Sequence, residues 1–507
     1  MPYYLDAFLV RRFTRWTELR DTKRALNVNA MDEVPDSTWY VNRVAARDVT
    51  PEEIRRGPGD GHTPEIYKPW AVKRLKVGGT AVGFVVEDRS GFQFLLKFDT
   101  KGYPEMETSA DVIVQRLFWT LGFNVPDDEV VTFSRQELVL HPDAKKRDPF
   151  GKDQALTDAD IDDELARVDL GPDGRYRAQV SGFLPGKILG GWPVEGVRDD
   201  DLNDRVPHQH RREVRASQLF YAWVSGVDVK KMNTLDAWVE DPQDPSIHYV
   251  KHYFVDFGKS LGVWRDELRM PYEGWATVAD FSQMGHSLVT LGFGDRPWER
   301  MSYPNIRGVG WFESEVFDPD EFVPAYPYYP HTQMDRTDGF WAAKIIMRFS
   351  ADQIRAAVES GHYSDQRATD YVTKTLIERQ RKIGSTWFRR VTPLDGIRVS
   401  ADGQQLCFDD LLVRYELAHG DTTYRAQAFD AHGKPTGWRS EAKRGAKSEV
   451  VCMRDLTLSS DGYTIVELIV SRSDRRDGED LKPILVHLGG SKADDVHVIG
   501  LRREYDD

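Results

Sequence analysis

Residues 226–258 read GVDVKKMNTLDAWVEDPQDPSIHYVKHYFVDFG, and this stretch decides the architecture. Asp228, Lys230 and Asn233 fall between an amphipathic run that ends near Val224 and an alternating run, LDAWVE. A second apolar run, HYVKHYFV, delivers Asp256 at its end, ahead of Phe257 and Gly258. The spacing predicts a helix over about 209–225, with Val214, Leu219, Ala222 and Trp223 available for burial, then two short strands. Carboxylates, an amide and a lysine set at the ends of regular elements are groups that the backbone can aim at a ligand.

Working upstream, AVKRLKVGGTAVGFVVEDRSGFQFLLKFD holds three apolar runs separated by Gly78-Gly79 and by the turn Asp88-Arg89-Ser90-Gly91, which predicts a small antiparallel sheet. Gly78, Gly79 and Gly83 on the first hairpin would let the backbone approach phosphate oxygens, or would simply form a hairpin turn. Lys97 closes the run Phe94-Leu95-Leu96, so it leaves a strand suited to burial, where a cation needs a partner. The bland alternative is a strand-end lysine reaching solvent. A helix is expected at about 108–121, since Ile113, Leu117 and Leu121 recur at four-residue spacing and Gly122 supplies a stop. Glu105, Glu107 and Asp111 are all candidate partners for Lys97; Asp111 is chosen because it lies inside the helix.

Strand, lysine, helix, the Asp228-x-Lys230-x-x-Asn233 loop and Asp256-Phe257-Gly258, in that order, resemble the protein-kinase superfamily. The resemblance implies an α+β, bilobal protein-kinase-like core. It would be an ATP- and magnesium-dependent phosphotransferase moving the γ-phosphoryl group to a hydroxyl. In it Asp228 would position or deprotonate the acceptor, Lys230 would steady the transferred group, and Asn233 and Asp256 would hold Mg2+. Lys97 and Asp111 would form the strand-to-helix pair near the α- and β-phosphates, and the segment Phe183 to Gly186 would be the hinge over which adenine lies. Gly226-Val227 stand where common kinases have His-Arg, the glycine loop is not G-x-G-x-x-G, and no Ala-Pro-Glu motif follows. The pattern is therefore similar to atypical branches, such as HipA-like and CotH-like kinases. A pseudokinase scaffold and a kinase-fold AMP transferase are the alternatives, and the acceptor, whether protein, sugar or small molecule, is not specified by these residues.

The remaining sequence frames this core. Residues 1–70 are turn-rich and expected to be an irregular arm, 71–186 the first lobe with an acidic, solvated insertion near 141–170, and 187–390 a helical lobe. Ser350 with Gln353 three residues on predicts a capped helix, and a following helix is expected to end at Gly384. From 391 to 507, short runs such as GIRVS, LLVRYELA, TYRAQAFD and YTIVELIVS predict a β-sandwich-like domain.

The 507 residues carry a formal net charge of -14, which opposes nucleic acid and anionic membrane surfaces as main partners. No apolar run is long enough for an integral membrane segment, and no leader is evident, so a cytoplasmic location is the default, with an exported form if an upstream leader is missing. Cys407 and Cys452 fit neither a zinc site nor a disulfide framework, and two buried free thiols are favoured over a single bridge between them. His208, His210, His248 and His252 are read as helix-start and strand-surface residues rather than a metal cluster, and Tyr326, Tyr328 and Tyr329 as a segment packed on the helical lobe or stacked on a ring.

Overall fold

The computed structural model describes residues 6–10, 13, 23–76, 81–147, 151–264, 267–268, 270–443, 450–474 and 481–504. Gly78 and Gly79 lie outside them. The first lobe is a seven-stranded sheet built from β1 (Trp70–Leu75), β2 (Gly83–Glu87), β3 (Gln93–Lys97), β4 (Asp128–Phe133), β5 (Leu138–Arg147), β6 (Asp153–Ala155) and β7 (Tyr176–Gly182). Its order is β4-β7-β3-β2-β1-β5-β6. The β1–β5 pair is parallel and the other neighbours are antiparallel.

Alternation along the strands separates two faces. Trp70, Phe84, Val86, Phe94 and Leu96 share one apolar core with Ile161 and Leu165. Those last two belong to a helix, Asp158–Leu165, started by the Thr157/Asp160 capping box that the sequence suggests. The segment expected to be a solvated insertion is thus part of the lobe: its strands widen the sheet and its helix covers one face. Leu95 and Lys97 look the other way.

Helices are numbered α1 (Pro51–Arg56), α2 (Glu107–Leu121), α3 (Asp158–Leu165), α4 (Arg212–Val224), α5 (Phe281–Val289), α6 (Tyr329–Thr332), α7 (Arg336–Ile346), α8 (Ala351–Glu359), α9 (Gln366–Trp387) and α10 (Leu411–Arg414). The largest core gathers α2, α4, α7, α8 and α9 around Trp223, Phe220, Trp341 and Leu376. It also takes in Trp39 and Tyr40, so the arm expected to drape over the surface is partly an internal element. Tyr40 donates its hydroxyl to the Leu121 carbonyl at 2.8 Å, tying the arm to the end of α2. The Ser350/Gln353 box starts α8 as expected. By contrast, α9 runs through Gly384 to Trp387; a Cβ at Gly384 would lie 2.6 Å from Met347 Sδ, so this glycine admits a close neighbour rather than stopping the helix.

A three-stranded sheet, β8 (Lys187–Gly190), β9 (Thr234–Glu240) and β10 (His248–Phe254), sits in the helical lobe in the order β10-β9-β8. Residues 183–186 join β7 of one sheet to β8 of the other, which makes them the connection between lobes. A two-stranded ribbon follows, β11 (Val263–Trp264) and β12 (Glu267–Leu268).

Beyond α9 come β13 (Leu394–Val399), β14 (Leu406–Asp410), β15 (Thr422–Phe429), β16 (Pro435–Lys443), β17 (Val450–Met453), β18 (Tyr463–Arg472), β19 (Ile484–Gly489) and β20 (His497–Arg503). They form sheets β13-β14-β17 and β16-β15-β18-β19-β20, whose inward residues share one core. The molecule is therefore an α+β, two-lobed core followed by a β-rich region. Within that region LLVR is the short helix α10, capped by Asp410, not the strand its apolar run suggests. Cys407 and Cys452 are register partners across β14 and β17 and are joined as a disulfide, which corrects the reading of free thiols.

Candidate active site

Four segments distant in sequence meet between the lobes. The alternation of β3 aims Lys97 away from the apolar core, and α2, begun by Asp99 accepting from the Thr108 and Glu105 amides at 2.9 Å, presents Asp111 to it. Lys97 Nζ lies 2.6 Å from Asp111 Oδ2 and 3.2 Å from Asp256 Oδ1. Burial works against the ammonium, but Asp111, Asp256 and Asp128 outweigh it and hold Lys97 well above its ordinary pKa. Lys97 remains charged.

The other candidate acids go elsewhere. Glu107 meets Lys259 Nζ at 2.6 Å, a second tie from α2 to the segment after β10. Glu105 takes Arg307 Nε at 2.9 Å and the Ser364 amide at 2.8 Å.

Asp256 follows β10 in the left-handed region, φ 65°, a conformation disfavoured for a side-chain-bearing residue and held here by its surroundings. Its carboxylate is 47% exposed, half open to the cleft. Lys97 pulls its pKa down against burial, with help from Lys259 and Lys230. The neighbouring Phe257 amide donates to Asp111 Oδ1 at 2.9 Å.

The loop after α4 is laced to this motif by backbone bonds from the Val227 amide to the Lys259 carbonyl and from the Val255 amide to the Asn233 carbonyl, both 3.1 Å. Within it, Lys230 Nζ lies 2.7 Å from each Asp228 oxygen. Asn233 Nδ2 donates to the Asp228 carbonyl at 2.8 Å and to its Oδ2 at 3.1 Å. The Ala325 amide donates to the Val227 carbonyl at 2.8 Å, and the Tyr326 ring lies 5.4 Å beneath Lys230 Nζ. The Tyr- and Pro-rich segment thus backs the loop.

Asp128 is the residue the sequence reading missed. It is 1% exposed, on the same sheet face as Leu95 and Lys97, and its Oδ1 has no hydrogen-bond partner. Burial and the Asp111 charge push its pKa up to about 8. An alternating DEVVTF run carries no signal for this.

Gly83 opens β2 opposite Lys97. Phe183, in the inter-lobe connection, is 46% exposed, and Gly186 has φ +77°. A cavity of about 1020 Å3 is lined by Val85, Leu95, Gln93, Phe183, Lys76 and Lys145 among others.

His208 and His210 precede α4 as the sequence suggests, whereas His252, on its strand, is buried, as is His208. His252 stacks on Trp39 at 3.6 Å and lies 2.6 Å from Asp236, while His208 lies 2.6 Å from Asp204. His248 alone stands at the strand surface, over Trp238. Among the described residues no group of three or more His, Cys, Asp or Glu is arranged to hold a metal, and no helix is long and apolar enough to cross a membrane.

No family model matches the chain, and no curated protein matches it. Among solved structures it is similar to a Golgi casein kinase with Mn/ADP bound, at 10% identity over 64% of this chain and 73% of that one, TM-score 0.31. It is also similar to the Helicobacter pylori proinflammatory kinase CtkA, at 10% identity over 64% and 97%, TM-score 0.33. The Rio2 kinase of Chaetomium thermophilum, solved as an ADP/Mg2+-phosphoaspartate complex, follows at 16% identity over 37% and 48%, TM-score 0.20.

Proposed function

We propose that this chain is an ATP- and magnesium-dependent phosphotransferase acting on a hydroxyl acceptor, of the atypical kind that HipA-like and CotH-like kinases represent. The observation that carries the reading is the convergence of Lys97, Asp111 and Asp256 with a loop in which Lys230 and Asn233 hold Asp228. Packing alone gives no reason to gather these groups at a cleft, since buried charge is costly unless it has a use or a partner.

In this reading the nucleotide base lies under Val85 and Leu95 beside Phe183, and Lys97, fixed by Asp111, binds phosphate oxygens. Asp228 orients the acceptor hydroxyl and takes its proton as the oxygen attacks the γ-phosphorus and ADP departs. Lys230 and Asn233 keep the Asp228 carboxylate in place for that transfer. The oxygen donors of Asp256 and Asn233 suit magnesium, which needs few protein ligands when it arrives with phosphates. The metal would supply charge neutralisation on those phosphates.

The test is calorimetric titration of ATP with and without magnesium into wild type and Asp256→Ala. Metal-dependent binding that disappears in a folded variant supports the reading; undiminished binding in Asp256→Ala, or none in wild type at millimolar ATP, removes it.

A further inference from the structure

Lys76 leaves β1 and turns into the hairpin that ends at Gly83. Its amide donates to the Gly83 carbonyl at 2.8 Å, and its Nζ donates to the Ala81 carbonyl at 3.1 Å. The stem lies flat across Gly83: a Cβ there would come within 2.9 Å of Lys76 Cδ and 2.5 Å of the Leu96 carbonyl. Because Gly83 is the register partner of Lys97, this folded stem runs beside Lys97. Lys76 also lines the cavity that Val85 and Leu95 border.

Burial lowers the Lys76 pKa, and the charges that act on it are those of Lys97, Asp256, Glu107 and Lys259. These are the charged groups gathered around Lys97. A glycine at 83 leaves room for both the Leu96 carbonyl and the lysine stem.

We propose that Lys76 is a second phosphate-binding lysine, whose ammonium sits on the polyphosphate of the nucleotide from the hairpin side while Lys97 holds it from the sheet. Lys97 is matched by two carboxylates, Asp111 and Asp256, so a second ammonium beside it would add to the positive charge that a polyphosphate meets there. The inference rests on the phosphotransferase reading above and deepens it.

Titration of Mg–ATP and of adenosine into wild type, Lys76→Met and Lys76→Arg tests it, with Asp256→Ala as control. The expected result is ATP affinity about tenfold weaker in Lys76→Met, unchanged adenosine affinity, and recovery to within about threefold in Lys76→Arg. If Lys76→Met binds ATP like wild type while Asp256→Ala loses it, the role of Lys76 is overturned and the reading of the cleft stands. If wild type binds no ATP, both fall. A measurement on the unaltered protein guards against a misfolded variant: Mg–ATP, but not adenosine, should slow acylation of Lys76 by an amine-reactive acetyl ester, followed by mass spectrometry. Equal labelling with and without ATP overturns the proposal.

Discussion

The Phe257 amide donates to Asp111 Oδ1 at 2.9 Å, while the other oxygen of the same carboxylate holds Lys97 Nζ at 2.6 Å. One buried side chain on α2 thereby fixes both the lysine of the first lobe and the backbone beside Asp256 in the second. The placements of Lys97 and Asp256 are coupled through it.

Asp111→Ala should consequently cost about 3–5 kcal/mol, the usual loss when one member of a buried ion pair is removed and its partner left behind. Urea unfolding measures this. A loss below about 1 kcal/mol, in the range of exposed pairs, would mean that Lys97 finds adequate compensation in Asp256 alone.

Asp228→Asn keeps the side-chain shape but not the basicity. ATP affinity should stay within about threefold of wild type, while single-turnover transfer from γ-labelled ATP should fall by about 10²- to 10⁴-fold. Undiminished turnover would leave Asp228 with no part in moving the proton.

Asp128 imposes a pH dependence on stability. Its folded-state pKa, about 8, lies above the value of an unfolded aspartate, so folding takes up a proton between the two. The stability this group contributes is complete below about pH 4 and is lost progressively as pH rises towards 8. Asp128→Asn, permanently neutral, should flatten that decline, so that the variant gains on wild type by the largest margin near pH 8.5. Parallel curves for the two proteins in urea melts from pH 5 to 8.5 would show that Asp128 is ionised in the folded state.

Cys407 and Cys452, 45 residues apart, are bonded. In guanidine without reductant a thiol reagent should find neither sulfur, and after reduction it should find two. Reduction should also destabilise the β region by about 2–4 kcal/mol. Two reactive thiols in the unreduced, denatured chain would contradict the bridge.

The elements that carry the candidate site were legible in the chain because their patterns are short-range. Asp228, Lys230 and Asn233 share one loop, Asp256 ends one alternating run, and the capping boxes at Thr157 and Ser350 lie within three residues, so the elements that carry them are read from local pattern, while the choice of these residues came from the resemblance. The helix carrying Asp111 and the strand carrying Lys97 follow from periodicity for the same reason. Tertiary structure decided what periodicity does not encode: which of three nearby acids meets Lys97, that Glu107 reaches Lys259 instead, and that the 141–170 segment pairs back onto β1 and packs Ile161 and Leu165 inside. It also decided that Gly384 admits Met347, that two cysteines on neighbouring strands bond, and that Gly83 makes room for the stem of Lys76. Each depends on atoms brought close by packing between elements far apart in sequence, whereas a residue's own neighbours fix only its local geometry and the face on which it lies.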